Sequence, residues 1–314
     1  MNKKNNTLAL LAAAAANLTV NQLQAAQVAD NYQLGVRHYK YEEKPSIDFT
    51  GEKQDRYEID VNQFSLIAPL SEEFELSLSY QHEKMSGASP WYNFELEGKP
   101  VQVMSGASIQ DTRDDASAKL RYVNDLNSLA VIAAISKEDD YESESYGVEY
   151  QRESADKSST YSIAADFSND DIEAVESDLY PTRPQGKQSK HSSSVLLSFS
   201  QILNKNSLIQ LSAGYSSKSG YLSDPYKMVL VNGLTGDTRP DRRIAKTLSI
   251  RYRYFVNAAD AAFHADYRYY DDTWDVKSHT VNLAWYQNLP YDFQVIPSFR
   301  MYSQSHSYFY QAFY

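Results

Sequence analysis

The 314-residue chain has no cysteine, which excludes disulfides, thiolate metal sites and cysteine nucleophiles. The absence also fits export through an oxidising compartment. Long apolar runs are missing too. Although 42% of the residues are hydrophobic, no window has the length and uniformity of a membrane helix. There is no basic surplus: 30 Lys and Arg stand against 41 Asp and Glu, a formal net charge of −11. Nucleic acid is therefore not expected as a partner. The six histidines are scattered, and none pairs with another at i, i+2 or i+4 among carboxylates, so no metal ligand set is signalled. A Gly-x-Ser-x-Gly elbow and a phosphate-cradling glycine loop are both lacking. No cofactor and no catalytic, cofactor-binding or metal-ligating residue is assigned. The chain is not expected to be an enzyme, although a barrel hydrolase that gathers Ser, His and an acid from separate strands would leave no trace in sequence spacing.

What the sequence does have is alternation. From Asp111 to Ile135, apolar residues fall at every other position, with Ala118, Leu120 and Tyr122 before Asn124-Asp125-Leu126-Asn127 and Leu129, Val131, Ala133 and Ile135 after it. This is the pattern of an antiparallel hairpin with a tight turn. The following SKEDDYESES reads as a long acidic connection. The rhythm recurs, and the 26 tyrosines cluster near predicted strand ends, where aromatic girdles meet lipid headgroups. A wall that is apolar on one face only also accounts for the negative mean hydropathy. The expected fold is all-β: an antiparallel transmembrane β-barrel of the bacterial outer membrane, with about fourteen strands. A soluble all-β sandwich is the rival, but would not need apolar residues at nearly every outward position.

Lys3 and Lys4 precede the apolar run Leu8 to Ala16 and a series of small residues, which is the layout of a secretory signal peptide. Residues 1–29 are assigned to it, with cleavage between 16 and 29, and residues 30–314 to a single barrel domain. Further along, Tyr57, Ile59 and Val61 share one phase while Phe64 and Leu66 share the other, which predicts a β-bulge near Asn62 and Gln63. Short and long connections are expected to alternate strictly, short turns facing the periplasm and long loops facing outwards. Long loops are placed at residues 83–110, 168–190 and 217–243. Trp91, Trp274 and the tyrosines from Tyr267 to Tyr270 are assigned to the girdle. The ending with Tyr308, Tyr310, Ala312 and Tyr314 reads either as a terminal aromatic strand or as the start of a loop.

The same alternation nominates lumen-facing charges. With Ile250, Tyr252 and Tyr254 towards lipid, Arg251 and Arg253 point inwards, as do His264, Asp266 and Arg268 on the next strand, Arg300 further round, and Lys119 and Arg121 on the opening hairpin. Two readings stand. The ladder selects anions, or its members pair with acids across strands to fill a narrow barrel. Glu138, Asp139, Asp140, Glu142 and Glu144 likewise read either as a solvated acidic loop or as ligands of divalent cations bridging lipopolysaccharide.

The blocks MSGASIQDTRDDASAKLRY, GYLSDPYK, HADYRYYDDTWDVKSHT and PSFRMYSQSHSYFY resemble those of a bacterial family known as domain of unknown function 3570, from about the first strand to the last residue. The resemblance implies an outer-membrane β-barrel without an established activity. It also implies an envelope redox context, since such chains are often encoded beside thioredoxin-like proteins and a flavin transferase. Relatives run further past Tyr310, which leads us to expect up to sixteen strands in a full-length relative. The expected function is a pore or transport role for a small solute in the outer membrane of a Gram-negative bacterium. The alternative is a structural or docking component of an envelope assembly, linked to redox proteins. Expected partners are outer-membrane lipid and lipopolysaccharide, periplasmic chaperones and the barrel-assembly machinery.

Overall fold

The computed structural model describes residues 27–44, 46–47, 53–54, 57–87, 90–104, 109–230 and 233–311. The expected signal segment falls almost wholly outside the described residues. In chain order the strands are β1 (Gln33–Glu42), β2 (Ser46–Ile47), β3 (Lys53–Gln54), β4 (Glu58–Pro69), β5 (Phe74–Gly87), β6 (Pro90–Leu96), β7 (Lys99–Met104), β8 (Ile109–Asn124), β9 (Asn127–Lys137) and β10 (Tyr141–Glu153). They continue with β11 (Ser159–Ile172), β12 (Gln188–Asn204), β13 (Ser207–Gly220), β14 (Met228–Leu230), β15 (Leu234–Gly236), β16 (Arg242–Val256), β17 (Ala261–Asp272), β18 (Lys277–Asn288), β19 (Gln294–Val295) and β20 (Ser298–Gln304). One 3₁₀ turn, Asn257–Ala259, separates β16 from β17.

Fourteen strands form one sheet in the order β1-β4-β5-β8-β9-β10-β11-β12-β13-β16-β17-β18-β19, with β20 also paired to β18. The pairings β1–β4, β4–β5, β10–β11 and β18–β20 are typical in being antiparallel to their neighbours. Since β19 and β20 follow one another along β18, the chain crosses the sheet thirteen times. The first and last passes therefore run in the same direction, and among the described residues no pairing joins them. Pairs β2–β3, β6–β7 and β14–β15 are separate two-stranded ribbons within the long connections.

The sheet is inverted relative to a soluble protein. Phe167 (56%), Ile135 (60%) and Leu248 (57%) are among the exposed side chains, and no large side chain among the described residues is fully buried. On β10 exposure alternates along the whole strand, Tyr146, Val148 and Tyr150 being the exposed set and Ser145, Gly147 and Glu149 the covered one. In water such a sheet would leave its apolar face uncovered. Lipid against that face and a polar interior behind it resolve the conflict, which is the make-up of a membrane β-barrel wall. Strands of 12 to 17 residues, such as β4 and β12, are long enough to cross the hydrocarbon at a tilt, for which about 9–11 residues suffice.

The tight-turn end is built by residues that hydrogen-bond their own backbone. Ser71 accepts from the Phe74 amide at 3.1 Å. Asp156 accepts from the Ser154 hydroxyl at 2.5 Å and the Ser158 amide at 3.1 Å, contacts that lower its pKa to about 2. Asp125 adopts a positive φ of 25°, which Asp tolerates better than most residues.

Five expectations are corrected. The register of β4 against β1 and β5 runs unbroken through Asn62 and Gln63, so there is no bulge. Its phase change arises because outward positions beyond the apolar band, Asp60 and Asn62, turn polar. For the same reason SKEDDYESES is not a long connection: Tyr141, Glu142 and Glu144 belong to β10, leaving residues 138–140 between strands. Residues 273–276 form a second short connection at that end, so short and long do not alternate strictly. The long loops are also shorter than expected, because β5, β11, β12, β13 and β16 extend into them. Finally, Trp274 is 7% exposed and Tyr270 lies on the polar face, so neither is a girdle residue. Tyr267, 39% exposed, keeps that place, and the Trp91 side chain lies outside the described residues. At the carboxyl end, residues 305–311 carry no strand; residues 312–314 lie outside the described ones.

Candidate functional site in the charged polar face

Two rows of the register show which side chains share a face. One passes from Arg121 through Ala130, Glu149, Ala164, Leu196, Gly214 and Thr247 to Tyr270. A second joins Gln210, Arg251, Asp266, Asn282 and Arg300. Lys119, Arg253, His264 and Arg268 lie two residues away along their strands from members of these rows. Successive side chains on a strand point to opposite faces, so all eight nominated residues share the polar face.

The structure divides them. Lys119 Nζ lies 2.5 Å from Glu149 Oε2. Arg121 Nη2 donates to Glu75 Oε2 and to the carbonyl of Gln27, both at 2.8 Å, and the Ala29 amide donates to the same carboxylate at 2.9 Å. Arg121 thus fastens the residues ahead of β1 to the tight-turn end of the wall. Arg253 Nη1 lies 2.5 Å from Asp266 Oδ1, and the His264 ring packs on Tyr286 with centroids 4.3 Å apart. For Lys119, Arg121 and the Arg253–Asp266 pair the cross-strand pairing reading holds, whereas His264 meets a tyrosine ring instead. Arg251, Arg268 and Arg300 differ. They are exposed, and among the described residues no carboxylate lies within ion-pair distance of any of them.

The polar face is also segregated by charge. Strands β5 to β11 carry Glu75, Glu83, Asp115, Glu149, Asp166 and Asp170 on it, and the cations Arg113, Lys119 and Arg121 there are each held by an acid. Strands β12 to β20 carry Lys190, Lys218, Arg243, Arg251, Arg253, Arg268 and Arg300 against Asp266 and Asp272 alone. Of the basic set, Lys190 reaches Asp170 at 2.8 Å and Arg243 reaches Asp272 at 2.6 Å. Individual pairings were hidden from sequence reasoning; the segregation was in principle available once strand parity was fixed.

At the loop end, β14 packs against β6, so ribbons from separate connections meet. Tyr226 anchors this cover. Its hydroxyl donates to Asp140 and accepts from the Val175 amide at 3.1 Å, while Arg183 lies 5.1 Å from its ring centroid. Sequence reasoning missed this tyrosine, since its partners are distant in the chain. Beneath it, Asp111, Glu138 and Asp140 bring carboxylate oxygens within 4.8 Å of one another. Burial, then the charge of Asp111, push Glu138 up to about 7. Arg113, 3.5 Å away, opposes that shift. Of the nominated acidic run, Glu138 and Asp140 come together here, whereas Glu142 and Glu144 lie on the outward face of β10.

A second brace stands at the short connection between β17 and β18. Asp272, whose side chain is fully covered, accepts from Arg243, from the Tyr270 hydroxyl at 2.6 Å and from the Trp274 amide at 2.8 Å. The guanidinium lies 4.5 Å from the Trp274 ring centroid.

Residues 5–314 match the family described as Protein of unknown function (DUF3570), and the chain belongs to it. No curated protein matches the sequence. Among solved structures, a Q482A mutant of the ferric enterobactin receptor of Pseudomonas aeruginosa in complex with enterobactin is similar over 82% of this chain and 43% of its own, at 11% identity and a TM-score of 0.48. The chain thus spans less than half the length of that receptor. OccK10 of Pseudomonas aeruginosa is similar over 89% of this chain and 94% of its own, at 13% identity and a TM-score of 0.39. OccAB1 of Acinetobacter baumannii is similar over 92% and 94%, at 8% identity and a TM-score of 0.40.

Proposed function

We propose that this DUF3570 member is an outer-membrane permeation protein that passes a small polar solute through a water-filled interior. The observation that carries the proposal is the polar face at mid-strand, where Arg251, Arg268 and Arg300 stand without carboxylate partners. Uncompensated guanidinium groups are tolerated within a membrane when they meet water and mobile counterions. On this reading the apolar face lies in outer-membrane lipid and contacts lipopolysaccharide at its outer edge. The chain reaches the membrane through the periplasm with chaperones and the barrel-assembly machinery, and no catalytic step is part of its role. The test is conductance across a planar lipid bilayer, using folded protein extracted from outer membranes in detergent. Discrete steps are expected; silence from a folded sample refutes the proposal.

The cover formed by β6 and β14 supports a second reading, a docking component of an envelope assembly whose loops present a fixed surface. Envelope redox proteins are the partners to seek. Cross-linking in intact cells that traps the loops against no partner counts against it.

A further inference from the structure

We infer that Arg251, Arg268 and Arg300 form a binding site for a small multivalent anion, such as a polycarboxylate or a diphosphate. This deepens the permeation reading, because the site lies on the same polar face and needs water to reach it. The geometry follows from the register. Arg251 and Arg300 share a row with Asp266 and Asn282 between them, so three strand spacings separate their backbones, about 14 Å. Arg268 stands one row along on β17, where Ser249 of β16 and Thr280 of β18 flank it. It is therefore diagonal to Arg251, at roughly 7–8 Å between backbones.

Three long cationic side chains thus bracket a patch of wall instead of meeting at a point. A chloride ion or a single carboxylate engages one or two of them. An anion whose charges are several ångströms apart engages all three, and guanidinium offers each carboxylate or phosphate group a bidentate fork. The one acid inside the patch does not compete, because Asp266 is held by Arg253 at 2.5 Å. Arg253 in turn spends its charge on that acid, which leaves three cationic groups and no free carboxylate. Asn282 and Thr280 supply neutral polar groups between the arginines. Elsewhere on the face, Lys119 and Arg121 show how the same wall neutralises a cation when no ligand is to be held.

The experiment is calorimetric titration of citrate into the folded, detergent-solubilised full chain at low ionic strength, with acetate as the monovalent control. Citrate is expected to bind at least about tenfold more tightly than acetate, and added salt to weaken it. Replacing Arg251, Arg268 and Arg300 together by Gln should abolish citrate binding, and Lys119→Gln should leave it within about twofold. If the triple variant does not fold, Arg268→Gln alone is measured, and about tenfold weaker binding is expected. No heat with citrate, equal affinity for acetate, or unchanged binding in the arginine variants overturns the site. Conductance separates the two proposals. A conducting protein that ignores citrate loses the site and keeps the pore, whereas a silent protein that binds citrate loses the pore and keeps the site.

Discussion

At the scale of single residues, environment decides what a side chain does more than its type. Arg253 and Arg251 lie on one strand and one face, yet one is neutralised by Asp266 and the other is not. Glu138 shows the same dependence through its proton. Its folded pKa, about 7, lies above the ordinary 4.5, so the folded state binds the proton more tightly than the unfolded chain. Protonation therefore favours the folded rim below the ordinary value, and that advantage is lost as pH rises through about 7. Protection factors of the amides of residues 138–140, corrected for the intrinsic pH dependence of exchange, should be higher at pH 5.5 than at pH 8, and Glu138→Gln should flatten the difference. Gly220 is a second case. Its φ is +100°, and a β-carbon there would overlap the Ser189 carbonyl oxygen. Gly220→Ala should cost more than about 1 kcal/mol, read from urea unfolding in lipid vesicles.

At the scale of elements, the strands were legible because side chains alternate with period two, and each face meets a different solvent. Leu129, Val131, Ala133 and Ile135 on β9 needed nothing else. The ends were less legible. Beyond the apolar band both faces meet water, so Glu142 and Glu144 look like loop residues although the backbone ladder carries on. The prediction at this scale tests the face assignment. Leu197→Arg, at mid-strand on the apolar face of β12, should lower unfolding stability in vesicles by roughly 2–4 kcal/mol, whereas Ser198→Arg on the polar face should cost under about 1 kcal/mol. Equal losses would show that the two faces do not see different solvents.

At the scale of the whole molecule, the exposed apolar face sets the conditions under which the protein can be handled. Folded chain is expected to stay dispersed only in detergent or lipid, and a folded sample that dissolves without either would contradict the membrane reading. The loop end sets access. Replacing residues 222–240 by a short Gly-Ser connection removes Tyr226 and β14 together, and with them the contact between ribbons. Unit conductance should rise if that cover narrows the path; an unchanged value would place the loops outside it.

The sequence by itself determined the sheet: its antiparallel class, its polar and apolar faces, most strand centres and the face on which each of the eight charged residues falls. All of these follow from local alternation and turn chemistry, which a single pass along the chain can read. Only the tertiary structure decided which charges neutralise one another and which loops meet. Pairing Arg121 with Glu75, leaving Arg251, Arg268 and Arg300 unmatched, and bringing Tyr226 to Asp140 all depend on register between strands and on contacts between distant loops. Those distances are set by hydrogen-bond ladders and packing across the chain, and alternation within one strand carries no record of them.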